Sequence, residues 1–171
     1  MQKFNLAIVI MVFSTIAITP KAEARNLWTN QPRILSTVTA QVSDSSNKDD
    51  VSIYLKRGFK RLEEEKYQEA IADFNQVIKL EPNNSFAYFG RGLSNFSLHN
   101  YHTAKDDFDQ AIEISPNFAY GYYFRGITLM NLRDKPGAIA DLQKASTLFT
   151  QEGELELAQR ADNAIEEIQA I

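Results

Sequence analysis

Three arginines and three aspartates recur along the chain at a fixed spacing, and they are the charged residues best placed to act together. Each aspartate follows its arginine by sixteen residues, and successive pairs are 34 residues apart: Arg57 and Asp73, Arg91 and Asp107, Arg125 and Asp141. A row of guanidinium groups could bind an anionic ligand. Alternatively, each arginine pairs with the aspartate of its own repeat, because guanidinium and carboxylate groups match as a fork. The recurrence of both partners in phase favours internal pairing.

Catalytic and metal-binding chemistry has little support in the sequence. The histidines, His99 and His102, have the spacing of a ligand pair, but no further ligands are evident and the chain has no cysteine. The absence of cysteine excludes thiolate catalysis, cysteine-ligated metals and disulfides. The run from Glu63 to Glu65 is typical of a solvated helix end, and the isolated glycines form no phosphate-binding loop. We therefore expect no enzyme activity, no metal and no cofactor.

The composition is that of an ordinary globular protein without a basic surface. The 171 residues are 44% hydrophobic and 23% charged, with a net charge of −4 at pH 7. Nucleic acids and anionic membranes attract basic proteins. We therefore expect neither as a partner.

The first 24 residues have the features of a secretory signal peptide. Lys3 is followed by the apolar run Leu6 to Ile18, then by Pro20 and the small-x-small sequence Ala22 to Ala24. The run of about 13 residues is shorter than the roughly 20 that a membrane-spanning helix needs. We expect cleavage after Ala24, export to the periplasm or the extracellular space, and no membrane association afterwards. An uncleaved N-terminal anchor is the alternative.

Residues 25–50 have no sustained periodicity and contain Pro32 among scattered serines and threonines. Such a composition is typical of a flexible linker. Trp28 and the pair Ile34 and Leu35 support a second interpretation, a short docking segment.

From Val51 onward the chain has a helical period with internal repeats. Gly58, Gly92 and Gly126 are 34 residues apart, and the residues around them repeat with them. The pattern predicts paired helices at 51–64 and 67–80, 85–97 and 101–114, and 119–132 and 135–149, followed by a capping helix at 153–171. Prolines end the second helices, while Asn84, Ser85 and Asn100 are candidate N-caps.

The three glycines lie inside predicted helices, where glycine costs about 1 kcal/mol relative to alanine. Their recurrence at one phase predicts that the missing side chain permits close packing of the two helices of each pair. The expected contacts are Gly58 with Ala70, Gly92 with Ala104, and Gly126 with Ala138.

These repeats resemble the tetratricopeptide repeat, in units at 51–84, 85–118 and 119–152. The first unit has the family's aromatic, small and proline positions, and so does the second: Tyr54, Gly58, Tyr67, Ala70, Phe74 and Pro82; Tyr88, Gly92, Tyr101, Ala104, Phe108 and Pro116. The third unit departs at Lys135 and Thr150, so its second helix is expected to continue through Phe149. The resemblance implies an all-α fold over 51–171, a right-handed superhelical α-solenoid of three helix pairs with a C-terminal capping helix.

The last unit is also similar to that of many cyanobacterial members, from Asp141 to Ala145 and at Leu148 and Phe149. This resemblance hints at a cyanobacterial origin, which adds the thylakoid lumen to the locations expected above for an exported protein.

In this family the first helix of each unit lines a concave groove. The matching positions here are apolar or aromatic: Leu55, Phe59, Phe86, Phe89, Leu93, Phe96, Tyr120, Tyr123, Ile127 and Met130. Chaperone-cofactor members bind C-terminal carboxylates through Lys, Asn and Arg at positions that are apolar in this chain: Leu55, Phe59, Gly90, Tyr120 and Phe124. The resemblance therefore implies binding of a protein or peptide, but not of a chaperone tail through a carboxylate clamp.

Two hypotheses for function follow. The first is a noncatalytic adaptor that holds a partner segment in the apolar concave groove. The alternative is a structural or assembly subunit whose aromatic face is buried in a larger complex or a homodimer. The same aromatic residues could also be covered by neighbouring helices, by residues 153–171 or by the linker.

Overall fold

The computed structural model describes residues 46–170, and all regular secondary structure within this range is helical. The proposed signal peptide and most of the linker lie outside the described residues. Seven helices follow one another in this range: α1 Ser46–Glu63, α2 Tyr67–Leu80, α3 Ser85–Ser97, α4 Tyr101–Ile114, α5 Ala119–Asn131, α6 Lys135–Glu152 and α7 Leu155–Ala170. The predicted all-α fold is confirmed.

Each helix packs against the next along the chain, and α1, α3 and α5 also contact one another in order. These three helices form the inner layer of a right-handed α-solenoid, and α2, α4 and α6 form the outer layer. We call the side of the inner layer that faces away from the outer layer the concave face. The final helix packs on α6 and buries Leu157, Ala161 and Ile168, so it caps the stack as predicted.

The helix ends agree with the sequence prediction in most places. Asn84 caps α3, since its side chain accepts a hydrogen bond from the backbone N–H of Ala87 at 3.1 Å. The prediction that Asn100 caps α4 is wrong, because its side chain makes no capping bond. α1 begins at Ser46, five residues earlier than predicted. α6 continues past Phe149 to Glu152, as the missing proline at position 150 suggested.

The atoms nearest to two of the repeated glycines, Gly58 and Gly92, belong to aromatic rings and not to the alanines we expected. A Cβ atom on Gly58 would lie 2.8 Å from the ring of Phe74, and one on Gly92 would lie 2.7 Å from the ring of Phe108. Phe74 lies one turn beyond Ala70 on the same helix, so its ring reaches the glycine first. A Cβ atom on Gly126 would lie 3.0 Å from Cγ of Leu142 and 3.2 Å from the carbonyl oxygen of its predicted partner, Ala138.

Phe74 also joins the first two units, because its fully buried ring lies against Gly90 of α3 as well as against Gly58. We expect Gly90→Ala to lower the free energy of unfolding by about 1–3 kcal/mol, since the new methyl group would overlap this ring. Urea unfolding measures the change. Combining Gly90→Ala with Phe74→Leu should restore part of the loss, and equal losses with and without Phe74→Leu would disprove this packing argument.

The turn inside each helix pair contains a residue with left-handed backbone: Glu65 at φ 59°, His99 at φ 61° and Arg133 at φ 65°. This conformation costs a non-glycine residue about 1–2 kcal/mol. Arg133 is exposed, so Arg133→Gly should raise the unfolding free energy by up to about 1 kcal/mol after allowance for the greater flexibility of unfolded glycine. Thermal unfolding tests this prediction, and Arg133→Ala, which keeps the strain, should show no gain.

Candidate functional site

The predicted pairing of each repeated arginine with the aspartate of its own unit is confirmed. Arg57 donates from Nε to both carboxylate oxygens of Asp73, at 3.1 and 2.9 Å, and from Nη2 at 2.6 Å. Arg125 holds Asp141 through two bonds of 2.7 Å, from Nε and Nη2. The side chains of Asp73 and Asp107 are only 3% and 4% exposed. Each guanidinium of the row is thus paired with a carboxylate of its own unit, which disfavours the anion-binding hypothesis.

Arg91 and Arg125 also bridge successive units, which the sequence analysis did not predict. Arg91 donates to Asp107 from Nε at 2.9 Å, and its Nη1 donates to Asn75 of the preceding unit at 2.6 Å. Arg125 likewise reaches back from Nη1 to Asp109 at 2.6 Å. Asn75 and Asp109 are 34 residues apart and so occupy the same position in successive units. This recurrence in the sequence could have predicted the bridges.

Each of these arginines also stacks on the tyrosine three residues before it. The guanidinium carbons of Arg57, Arg91 and Arg125 lie 5.1, 5.4 and 5.5 Å from the ring centres of Tyr54, Tyr88 and Tyr122, respectively. Residues three apart share a helix face, so the pairing is built into the repeat. Such cation–π contacts orient the planar guanidinium toward its carboxylate.

Asp107 is, with Asp73, one of the two most enclosed charged groups of this network. Its Oδ1 accepts two hydrogen bonds from Arg91, and its Oδ2 accepts one from Asn95 at 3.0 Å. Burial nevertheless raises the pKa of Asp107, because loss of water outweighs the opposing effects of Arg91 and Asn95. The pair serves structure rather than catalysis, since all of its donors and acceptors belong to the helix interface.

The two histidines do not form a metal site in the described part of the chain. Nδ1 of His99 lies 2.8 Å from the hydroxyl of Tyr101, whose ring it also contacts. His102 is exposed on α4. Within residues 46–170 no cluster of three or more His, Asp or Glu side chains has the arrangement of a metal site.

The ten predicted groove residues fall into two groups. Seven are buried: Leu55, Phe59, Phe89, Leu93, Tyr120, Tyr123 and Ile127. Three are partly buried and packed against the core: Phe86, Phe96 and Met130. The second group, which we call the rim residues, is the part of the predicted groove that retains exposed area. Binding of a partner by any of the ten stays a prediction.

The buried members are held by aromatic contacts between units. The ring of Phe89 lies 5.9 Å from Phe108, 4.9 Å from Phe118 and 5.6 Å from Phe124, measured between ring centres. Phe89 therefore joins the second unit to the third. Its position in the core explains why a residue expected to face a partner is only 4% exposed.

The inner side of α5 is closed by the C-terminal helices. The Tyr123 ring lies 6.3 Å from that of Phe149 on α6, and the charges of Arg160 and Glu167 on α7 act on its hydroxyl. Burial raises the pKa of Tyr123 to about 12, so the hydroxyl stays protonated at physiological pH. Helix α6 therefore covers part of the surface that was predicted to bind a partner, and α7 places charged side chains near Tyr123.

Tyr120 carries a buried polar group on this face. Its hydroxyl is enclosed, and within the described residues it has no hydrogen-bond partner. Burial is the main cause that raises the pKa of Tyr120, and the nearby Glu154 and Glu152 add to it. The group therefore remains a neutral donor beside the ring of Phe149, 4.9 Å away.

The five positions that would carry a carboxylate clamp are closed as well as apolar. Leu55, Phe59, Tyr120 and Phe124 are each at most 5% exposed, and Gly90 is buried. A carboxylate placed there would lose its water without gaining a cationic partner, which is strongly unfavourable.

No helix of the described residues is both long and apolar enough to cross a membrane.

The sequence matches the family model described as the tetratricopeptide repeat at residues 51–84 and 87–118. Residues 119–152 lie outside the match, although their two helices and the Arg125–Asp141 pair repeat features of the first two units. No curated protein matches the sequence.

Several solved structures have the same fold at low sequence identity. The TPR2B domain of yeast Sti1 in a complex with pHsp70 is 19% identical, with a TM-score of 0.68 over 71% of this chain and 98% of that one. The Yersinia enterocolitica secretion chaperone SycD in complex with a peptide of the translocator YopD is 18% identical, with a TM-score of 0.68 over 76% and 97%.

PcrH in complex with the chaperone binding region of PopD is 21% identical, with a TM-score of 0.69 over 76% of this chain and 96% of that one. At these identities the likeness establishes the fold alone. The chain thus carries tetratricopeptide repeat sequence in its first two helix pairs, and its described part has the fold of tetratricopeptide repeat domains.

Proposed function

We propose that this protein is a noncatalytic adaptor that binds a segment of a partner protein along the concave face. The observation that carries the proposal is the chemistry of the rim residues. Phe86 and Phe96 on α3 and Met130 on α5 are apolar and only partly buried, so two neighbouring inner helices carry apolar side chains that keep exposed area. Helical and extended peptides dock into such apolar surfaces through a few side-chain anchors.

Two further observations support the proposal. The charged groups best placed for other chemistry, the repeated arginines, are engaged in internal pairs. The structures most relevant for comparison hold protein or peptide partners, as described above for Sti1, SycD and PcrH. The partner segment best suited to this face is apolar and nearly uncharged, because the rim residues offer dispersion contacts and few charges.

The proposal also covers the domain organisation of the chain and the location of the protein. We take residues 119–152 as a third repeat, residues 1–24 as a signal peptide and residues 25–50 as a linker whose last residues join α1. The protein then acts in the periplasm, outside the cell or in a thylakoid lumen. N-terminal sequencing of the protein from its own cells should begin at Arg25, and intact Met1 on soluble cytoplasmic protein would disprove export.

Partner binding can be tested by comparing apolar-to-serine substitutions at the rim residues with the same kind of substitution elsewhere on the protein. The protein is used to capture partners from an envelope extract, as wild type and as Phe86→Ser with Met130→Ser. If these residues are hot spots, the double substitution should weaken the free energy of partner binding by about 2 kcal/mol. Binding by the wild type should depend little on salt concentration. The control is Ile53→Ser with Leu155→Ser, two apolar side chains outside the rim residues that are 56% and 66% exposed.

Two results would count against the proposal. Equal loss of capture in the rim and control variants would show a general effect of reduced hydrophobicity. A stable homodimer that dissociates when the rim residues are replaced, and that captures no other protein, would favour the assembly subunit instead.

A further inference from the structure

The first helices of the second and third units each have one side covered by the unit before them. The third and sixth residues of the unit lie on this side, and the tenth follows on the same helix face. In α3 the sixth residue, Gly90, leaves room for the ring of Phe74 on α2, and in α5 the third residue, Gly121, leaves room for Ile112 on α4. All three positions are buried in both helices.

The same positions of α1 are open. They carry Ile53, Lys56 and Lys60, and all three residues are exposed. Ile53 is 56% exposed, whereas its counterpart in α3, Ala87, is fully buried. The corresponding residues of α3 and α5 are all uncharged, so the two lysines belong to the first unit alone. We call Ile53, Lys56 and Lys60 the head surface.

The head surface is basic at its centre. Asp50 is the exposed acid at its N-terminal edge. At its other edge, Glu64 accepts a hydrogen bond from Lys66 at 2.7 Å, so that carboxylate is already engaged. Lys60 lies 3.8 Å from Glu64, and its side chain stays 67% exposed. The two lysines therefore present their charges outward, beside an apolar side chain.

The last helix of the stack has the complementary chemistry on its outer side. α7 buries an apolar stripe against α6, so the opposite side of α7 is exposed. The residues that follow one another along this side, which we call the tail surface, are Leu155, Gln159, Asp162 and Glu166. Leu155 is 66% exposed. The only basic residue of α7, Arg160, acts on Tyr123. The tail surface is thus apolar at its start and acidic beyond it.

We propose that the head surface of one molecule docks on the tail surface of a second copy, so that the protein associates head to tail. Ile53 and Leu155 are the two most exposed large apolar side chains of the described residues, and they lie at opposite ends of the stack. On each surface the charged residues follow the apolar one along the helix. The apolar contact and the ion pairs can therefore form together when the two helices lie side by side in the same direction.

This contact joins two different surfaces, so it does not close into a symmetric dimer. Each added copy leaves one head and one tail unused, and chains or rings can grow. One helix face from each molecule is small beside the roughly 1,200 Å² that a stable interface buries, so we expect weak, reversible association. Salt should weaken it further, because exposed charges are screened. Association of this kind is independent of partner binding on the concave face.

Sedimentation velocity over a wide range of protein concentration measures the association. At low salt the wild type should form dimers and longer chains, and added NaCl should dissociate them. The head variant is Lys56→Glu with Lys60→Glu, and the tail variant is Asp162→Lys with Glu166→Lys. Each should weaken self-association by at least about tenfold, because like charges then face each other across the contact.

Mixing the two variants tests the head-to-tail geometry. The head variant keeps a native tail surface and the tail variant keeps a native head surface, so the mixture should associate although neither variant does so alone. The matched control is Lys79→Glu with Lys144→Glu, at exposed sites on the outer helices α2 and α6. It changes the net charge as much as the head variant does, and it should associate like the wild type.

Three results would overturn the inference. The wild type could stay monomeric at high concentration and low salt, the mixture of variants could stay monomeric, or both variants could associate alone as well as the wild type does. The last result would assign the association to another surface, such as the concave face. The proposed function fails separately, when substitution of the rim residues leaves partner capture unchanged.

Discussion

Replacing Arg91 with methionine is expected to lower the free energy of unfolding by about 3–5 kcal/mol at pH 7, because the change leaves the buried Asp107 without its cation. The loss should be at the lower end of this range, since Asn95 still donates to the carboxylate. Urea unfolding measures the difference. Arg91→Met with Asp107→Leu should cost less than the sum of the single changes, and strict additivity would contradict the pairing.

The effect of Arg91→Met should also depend on pH in a defined direction. Burial already raises the pKa of Asp107 in the folded protein, and removing Arg91 takes away an interaction that opposes this rise. A carboxyl with a raised folded pKa contributes stability below its unfolded pKa of about 3.9 and loses it as pH rises through the folded value. The variant should therefore approach wild-type stability at acid pH and fall furthest below it at neutral pH.

The control for this pH dependence is Arg91→Met combined with Asp107→Asn, in which the titrating group is absent. The free energy of unfolding of this double variant should lack the fall between acid and neutral pH that Asp107 causes in Arg91→Met. A destabilisation by Arg91→Met that is the same at every pH would show that Asp107 does not carry the effect.

Phe89→Ala is expected to lower the unfolding free energy by about 3–5 kcal/mol, because it deletes a buried ring that touches three others. Thermal and urea unfolding measure this loss. Phe86→Ala removes a ring of the same size that is only partly buried on the same helix, and it should cost clearly less. Equal losses from the two substitutions would contradict the division between buried residues and rim residues.

Much of the fold could be predicted from the sequence because the same residue pattern recurs in three successive units. The spacing of glycines, aromatics and prolines predicted six helices and a cap, and only the ends moved: α1 begins at Ser46 and α6 ends at Glu152. These ends depend on local features that do not repeat, such as the missing proline and the left-handed Gly153 that terminates α6.

The internal ion pairs were also predictable, since charge partners sixteen residues apart recur in phase. The bridges to Asn75 and Asp109 in the preceding unit were missed because pairing was sought only within a unit. The glycine contacts were misassigned because the spacing fixes the helix face but not which side chain on that face reaches furthest.

The groove was the least predictable feature. Family position identifies the inner face of each helix, but not how far neighbouring units and the capping helix enclose it. Phe89 and Tyr123 share the same position in successive units, yet one is closed by rings of α4 and α5, and the other by Phe149 and the charged side chains of α7. Burial on this scale comes from tertiary packing.

Site-specific photocrosslinking tests the central claim, partner binding on the concave face, most directly. A photoreactive phenylalanine analogue replaces the rim residue Phe96 or, as the control, the 56% exposed Ile53 on α1, and the protein is irradiated in its own envelope extract. The proposed function predicts that position 96 forms adducts with one apolar segment of a partner protein, while position 53 forms none with that segment. Adducts with the partner at position 53 and none at position 96 would contradict it.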